Sequence, residues 1–237
     1  MRQIELPPED LQRRITPVSG DEALRIGADC AKVIRRVMRE HGPAPRHCDS
    51  MLDFGCGWGR IIRFFDIENL WGIDIDEEAI KACQDTIPKA RFARVDPLGP
   101  APFEDGTFDV AYAFSVFTHL SEEAHLRWLG EIKRIVKPGG LVIVTTLMRS
   151  FIKHCQELAL EDPAALLPWQ QFAARCFQPP HEFLAAYDRG EYLFSPQTEH
   201  FGNTLIPREY VESRWPFELL DWFPSMTQQF AVCRNPS

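Results

Sequence analysis

The chain has 237 residues, 45% of them hydrophobic, and a formal net charge of −8, a size that suits one or two domains with several buried layers. No run of about 18 apolar residues is present to span a bilayer, and the charged start MRQIELPPEDLQRR lacks the apolar stretch of a secretory signal. The seven cysteines (Cys30, Cys48, Cys56, Cys83, Cys155, Cys176, Cys233) are scattered and never spaced as CxxC. That usage fits reduced thiols in a cytoplasmic protein and argues against a disulfide framework or zinc ribbon, while the acidic balance disfavours a grip on nucleic-acid phosphates.

Residues 1–20 are polar and read as an arm or cap. From Asp21 to His41 the apolar positions Ala23, Leu24, Ile26, Ala31, Val33, Ile34 and Val37 recur at helical spacing, and Gly42-Pro43 stops the helix. Ser50–Phe54 reads as a buried strand, followed by a glycine-rich turn and a helix from Trp58 to Phe65. Leu70–Ile75 is a second strand, then a helix opens at Asp76 with Glu77 and Glu78 in its first turn, where acids suit the helix dipole. Ala90–Val95 is a third strand and Phe108–Phe114 a fourth. Ser121 caps a helix to Val136 with Leu126, Leu129, Ile132, Ile135 and Val136 as its apolar stripe. Lys137-Pro138-Gly139-Gly140 ends it, and Leu141–Val144 is a fifth strand. This alternation predicts a parallel sheet covered on both faces.

After Thr146 the rhythm changes. Residues 147–205 carry helical stretches rich in aromatics and His, broken by Pro163, Pro168, Pro179-Pro180 and Pro196. The block is too long for a connector and too apolar for a disordered linker, so it reads as a lid or substrate-pocket insertion. Its His154, Trp169, His181, Phe183, Tyr187, Tyr192, His200 and Phe201 either line an acceptor pocket or form the core of that insertion. Pro207–Trp215 is a short helix, and Phe217–Trp222 and Gln228–Cys233 are two closing strands.

The first strand leads into Asp53-Phe54-Gly55-Cys56-Gly57-Trp58-Gly59-Arg60. Alternate glycines allow a tight turn and close approach of a ligand at the carboxyl edge of a parallel sheet. The spacing is GxGxG, whereas dinucleotide-binding loops prefer GxGxxG, and Asp53 stands two residues before the first glycine. Asp74, at the end of the second strand, can accept both ribose hydroxyls of a nucleoside, and Asp96 ends the third strand beside the same crevice. Acids at three strand tips, with no Lys in the loop, suit a cationic nucleoside better than a pyrophosphate.

With these motifs the chain resembles the class I S-adenosylmethionine (SAM)-dependent methyltransferases of the small-molecule type. The matching pieces are DFGCGWG (53–59), GIDID (72–76), FARVDPL (92–98), FDVAYAFSVFTHL (108–120) and IKRIVKPGGLVIVTT (132–146). The resemblance implies an α/β, Rossmann-like, doubly wound seven-stranded sheet, mostly parallel with an antiparallel last strand. It implies one methyltransferase domain over 1–237: a helical cap (1–45), a SAM-binding core (48–146), a helical insertion after strand five (147–205) and closing strands (206–237). Phe54, Gly55, Cys56 and Gly57 would contact the methionine part, with Asp53 supporting the loop and the ammonium end. Asp74 would bind the ribose, Ile75 would pack on adenine, and Asp96 would meet its amino group. Pro97 has no N–H, so the donor to the ring would come from Leu98. Phe114 and Ser115 would line the methionine side near the transferred methyl.

No nucleic-acid-base signature follows the fourth strand, and no carboxylate cluster suited to a metal is present, which leaves a small molecule methylated on O, N or C. For a hydroxyl acceptor the candidate bases are His119 and His200. A SAM-binding protein without turnover uses the same motifs. An NAD-dependent oxidoreductase is disfavoured by the GxGxG spacing and Asp53. Oligomeric state is left open.

Overall fold

The structure, a computed structural model, describes residues 5–42 and 48–236. Pro43, read as the stop of the long N-terminal helix, lies outside the described residues, as do residues 1–4, 44–45 and 237 of the expected cap and closing segments. Helices α1 (Glu9–Ile15) and α2 (Gly20–His41) lead into β1 (Ser50–Phe54), β2 (Asn69–Asp74), α3 (Glu77–Thr86), β3 (Arg91–Arg94), β4 (Phe108–Ala113), α4 (Glu122–Ile135) and β5 (Val136–Leu147). Then follow α5 (Ser150–Leu158), α6 (Pro168–Ala173), α7 (Pro180–Asp188), β6 (Leu193–Pro196), β7 (Gly202–Leu205), α8 (Arg208–Arg214), β8 (Glu218–Ser225) and β9 (Gln228–Arg234).

Seven strands form one sheet in the order β3-β2-β1-β4-β5-β9-β8, and β6 pairs with β7 separately. The sheet is mostly parallel with an antiparallel last strand; β1 runs parallel to both β2 and β4. Strand order therefore reverses between β1 and β4, and in open α/β sheets the crevice outside such a reversal is where ligands bind. All five residues of β1 are buried, as expected of a strand covered on both faces.

The chain divides into two compact units. The first comprises Met1–Phe114, Glu131–Ile143 and Arg234–Ser237, with Met51, Leu52, Ile73, Phe108 and Val110 in its core. The second comprises Ser115–Gly130 and Val144–Cys233. Its residues from 147 to 205 have a core of their own, in which Leu147, Ile152, Cys155, Phe177 and Leu205 are buried.

Three expected elements differ in the structure. No α-helix follows the glycine turn; residues 62–64 form only a 3-10 turn. There Arg63 donates from Nε to the Gly59 carbonyl at 2.9 Å and from Nη2 to the Trp58 carbonyl at 3.3 Å, so its side chain folds back on the glycine turn. Strand β5 begins at Val136 rather than Leu141. There the Gly139 N–H donates to the Asn235 carbonyl at 2.8 Å and the Asn235 N–H to the Gly140 carbonyl at 2.9 Å, while Asn235 Nδ2 caps the end of α4 through the carbonyls of Val136 at 2.7 Å and Lys133 at 3.0 Å. The insertion is not purely helical either, since β6 and β7 form a hairpin. The Gly202 and Thr204 N–H groups of β7 donate to the His119 and Thr118 carbonyls, partners some 83 and 86 positions earlier in the chain.

Candidate functional site

The glycine turn is built by main-chain bonds across the tips of β1 and β2. The N–H groups of Gly55 and Cys56 both donate to the Ile73 carbonyl, at 2.8 and 3.0 Å. Gly57 and Gly59 have φ of +52° and +76°, which side-chain-bearing residues adopt only at a cost. A Cβ on Gly57 would lie 2.9 Å from Ile15 Cγ2, and one on Gly59 would lie 2.4 Å from Ile87 Cδ1. The N-terminal arm thus rests against the turn, where Arg14 also reaches Asp76 at 2.8 Å and Glu78 at 2.7 Å.

Asp74 ties this turn to the next helix. Its Oδ2 accepts from the Gly57 N–H at 2.7 Å and its Oδ1 from the Asp76 N–H at 2.9 Å. Burial raises the Asp74 pKa, against those backbone donors. Asp76, not Asp74, is the N-cap of α3, accepting from the Ala79 N–H at 3.0 Å. Beside Asp74 the apolar Ile75 is 52% exposed, an uncovered aliphatic face next to a carboxylate.

Asp53 is buried on β1. Burial pushes its carboxyl up to about 7, partly eased by the Tyr112 hydroxyl, while nearby Asp74 pushes further and Arg60 pulls back. Asp53 Oδ2 and the Tyr112 hydroxyl both lack a well-aligned hydrogen-bond partner. The Cys56 thiol is buried and held well above its ordinary pKa by burial and by Cys83, so it is no nucleophile at neutral pH. At the end of β4, Phe114 carries the Arg60 guanidinium 5.5 Å from its ring centre.

The turn thus gathers Asp53, Phe54, Gly55, Cys56, Gly57, Asp74 and Ile75. Asp96 is placed differently. The Val95 N–H donates to the Asp74 carbonyl at 2.9 Å, which brings the end of β3 to the tip of β2. The Asp96 carboxylate nevertheless stands 78% exposed, 3.5 Å from Arg94. Pro97 is exposed and Leu98 half-buried.

In the second unit, Ser115 has a φ of +60°, a strained setting for a side-chain-bearing residue. Three partners hold it there. Its N–H donates to Thr145 Oγ1 at 2.8 Å, its Oγ accepts from Gln228 Nε2 at 2.9 Å, and Thr118 Oγ1 lies 3.4 Å away. His119 Nδ1 lies 2.9 Å from the Gly202 carbonyl oxygen. A carbonyl only accepts, so Nδ1 carries the proton and Nε2 keeps a lone pair. Burial lowers the His119 pKa, favouring the neutral ring, which stacks on Phe201 at 5.1 Å.

His200 is held otherwise, with Nδ1 3.4 Å from Ser121 Oγ and Nε2 3.9 Å from Glu199. His125 is fully buried among Phe117, Tyr192, Tyr210 and Trp215, and burial pushes its pKa down to about 3. It is a core histidine. Of the insertion's aromatics, Phe183 and Tyr187 pack on the insertion core, whereas Trp169 and Phe201 are each 45% exposed.

Sequence reading overlooks Thr145 and Gln228, the two side chains that hold Ser115. Neither carried a local signal, since both lie far from Ser115 along the chain.

A parallel sheet reversing order at β1 and β4, with a glycine turn clasped by an acid from β2, defines a Rossmann-like nucleotide-binding fold. Residues 52–144 match the family model described as a methyltransferase domain, which supports the resemblance to class I SAM-dependent methyltransferases. It is 34% identical over 101 residues to the 2-methyl-6-phytyl-1,4-hydroquinone methyltransferase of Synechocystis sp., covering 40% of this chain and 31% of that protein. It is 30% identical over 131 residues to the chloroplastic tocopherol O-methyltransferase of Arabidopsis thaliana, covering 51% of this chain and 34% of that protein. The match thus spans about a third of the length of these curated relatives. Magnesium protoporphyrin IX methyltransferase from Synechocystis PCC 6803, solved with bound SAH, shares the fold. It aligns at a TM-score of 0.60 and 13% identity over 96% of this chain and 94% of its own. Among the described residues no helix is long and apolar enough to cross a membrane.

Proposed function

We propose that this chain is a methyltransferase that takes its methyl group from SAM and places it on a hydroxyl of a small molecule. The observation that carries the donor assignment is Asp74, fixed at the tip of β2 by the Gly57 and Asp76 N–H groups with the exposed Ile75 beside it. A carboxylate next to an uncovered aliphatic face fits a nucleoside, the first taking ribose hydroxyls and the second covering the base. SAM, when bound, supplies a sulfonium methyl open to in-line displacement.

The residues of this chain then have separable roles. Asp74 and Ile75 hold the nucleoside, and Phe54, Gly55, Cys56 and Gly57 present backbone to the methionine part, with Asp53 beneath them. Asp96, Pro97 and Leu98 border the adenine, and Phe114 and Ser115 follow at the end of β4. His119 accepts the hydroxyl proton at Nε2, because its Nδ1–H is committed to Gly202. His200 is the weaker candidate, since neither ring nitrogen has a partner that fixes its tautomer. Alignment and exclusion of water supply the remaining rate enhancement.

In this reading residues 48–146 are the cofactor core and 147–205 the acceptor-binding insertion. A formal net charge of −8 supports a small molecule over nucleic acid, and seven free cysteines support a reducing, cytoplasmic setting. Calorimetric titration with S-adenosylhomocysteine, with NAD as comparison, tests the donor assignment. Micromolar binding of the former alone is expected; binding of NAD instead would overturn it. Labelled SAM with a panel of phenols, sugars and amines then separates an enzyme from a binder without turnover.

A further inference from the structure

Two local costs meet in one hydrogen bond of the second unit. Ser115 holds a φ of +60°, where a glycine would sit without strain, so the serine adds a hydroxyl at the expense of its backbone. That Oγ accepts the Gln228 Nε2–H at 2.9 Å. Gln228 is itself buried, at 8% exposure, and among the described residues its Oε1 meets no donor. An amide buried with its acceptor unused is the second cost. Neither serves stability, and backbone strain of this kind clusters where a functional geometry is held.

Ser115 opens the turn that ends in His119, whose N–H closes on the Val116 carbonyl at 2.9 Å. Two anchors hold this turn. At its start Ser115 is fixed by Gln228 of β9 and Thr145 of β5. At its end the Gly202 and Thr204 N–H groups of β7 donate to the His119 and Thr118 carbonyls at 2.9 and 2.8 Å, and the Gly202 carbonyl accepts from His119 Nδ1. Between the anchors Thr118 is fully buried, with its Oγ1 3.4 Å from Ser115 Oγ. Close packing there passes a shift of Ser115 along the turn. We infer that Gln228 is a positioning residue for methyl transfer: acting through Ser115, it sets the turn and with it the direction of His119 Nε2. The inference rests on His119 as the base in the proposed function.

The experiment follows turnover of the full chain with labelled SAM and the panel of phenols, sugars and amines, and records nitrogen NMR of the imidazoles. The His119 signals are assigned by their absence in His119→Phe. Gln228→Met keeps the side-chain length and removes the amide. It is expected to lower kcat about 10-fold while KM and the affinity for S-adenosylhomocysteine stay within about twofold, and to move the His119 signals away from the Nδ1–H tautomer. Ser115→Ala breaks the same bond from the other side and is expected to move the same signals, which decides the matter if Gln228→Met fails to fold. In Ser115→Gly the φ needs no holding, so adding Gln228→Met is expected to cost no further turnover. Unchanged kcat and His119 signals, lost thermal stability with kcat intact, or losses that multiply in the double variant would overturn the role of Gln228. A wild-type chain that methylates nothing in the panel would overturn the hydroxyl-acceptor reading, while the His119 signals still decide whether Gln228 positions that ring.

Discussion

Asp74 Oδ2 accepts the Gly57 N–H at 2.7 Å, so the acid that ends β2 clasps the middle of the turn that leaves β1. One carboxylate therefore shapes the loop and, in the proposed function, also takes the ribose. Asp74→Ala is expected to lower the affinity for S-adenosylhomocysteine by about 100-fold or more and also to cost about 1–2 kcal/mol of stability through the orphaned N–H groups. Calorimetry and thermal melting followed by circular dichroism check the two effects; unchanged affinity sinks the ribose assignment.

Asp53 links stability to pH. Its folded pKa, about 7, lies above the ordinary 3.8, so between those values the folded chain holds the proton more firmly than the unfolded chain does. The stabilising contribution is complete below pH 3.8 and is lost as pH rises through about 7. Relative to Asp53→Asn, the wild type is expected to lose about 1 kcal/mol of stability per pH unit across that window. Urea midpoints measured at several pH values report it, and a constant difference between the two proteins contradicts it.

Gly27 stands inside α2, where Ala would ordinarily be favoured by about 1 kcal/mol. The Arg60 carbonyl oxygen, 2.1 Å from a Cβ at that position, reverses the preference because main-chain atoms cannot step aside cheaply. Gly27→Ala is expected to destabilise by about 2 kcal/mol. A variant as stable as wild type in denaturant melts would show that α2 does not press on the loop.

His119 keeps its Nε2 lone pair because Nδ1 is bonded to Gly202. His119→Phe preserves a ring for stacking on Phe201 but removes the base. Turnover with labelled SAM and a hydroxyl acceptor is expected to fall roughly 100-fold, with S-adenosylhomocysteine affinity unchanged. Retained turnover would assign the proton to another acceptor.

Much of the cofactor side is legible in the sequence because its causes are local. Ser50–Phe54 forms the strand that its sequence predicts, since a short run carrying Met51, Leu52 and Phe54 and bounded by glycine needs only burial on both faces. Asp76 caps α3 through a bond to a residue three positions on, and alternate glycines announce a turn wherever φ must be positive. What stayed hidden depends on partners far along the chain. The early start of β5 follows from Asn235, 99 positions after Val136, and the setting of Ser115 follows from Gln228, 113 positions away. The same holds for charge. The sequence by itself determined the alternation of the first five strands with helices, the glycine turn and the acids at the strand tips, because hydrophobic period and short-range hydrogen bonding are local properties. Only the tertiary structure decided that Asp53 sits in a medium that raises its pKa, that His119 carries its proton on Nδ1, and that Arg60 lies over the Phe114 ring. Desolvation and pairing arise only once distant segments have excluded the water between them.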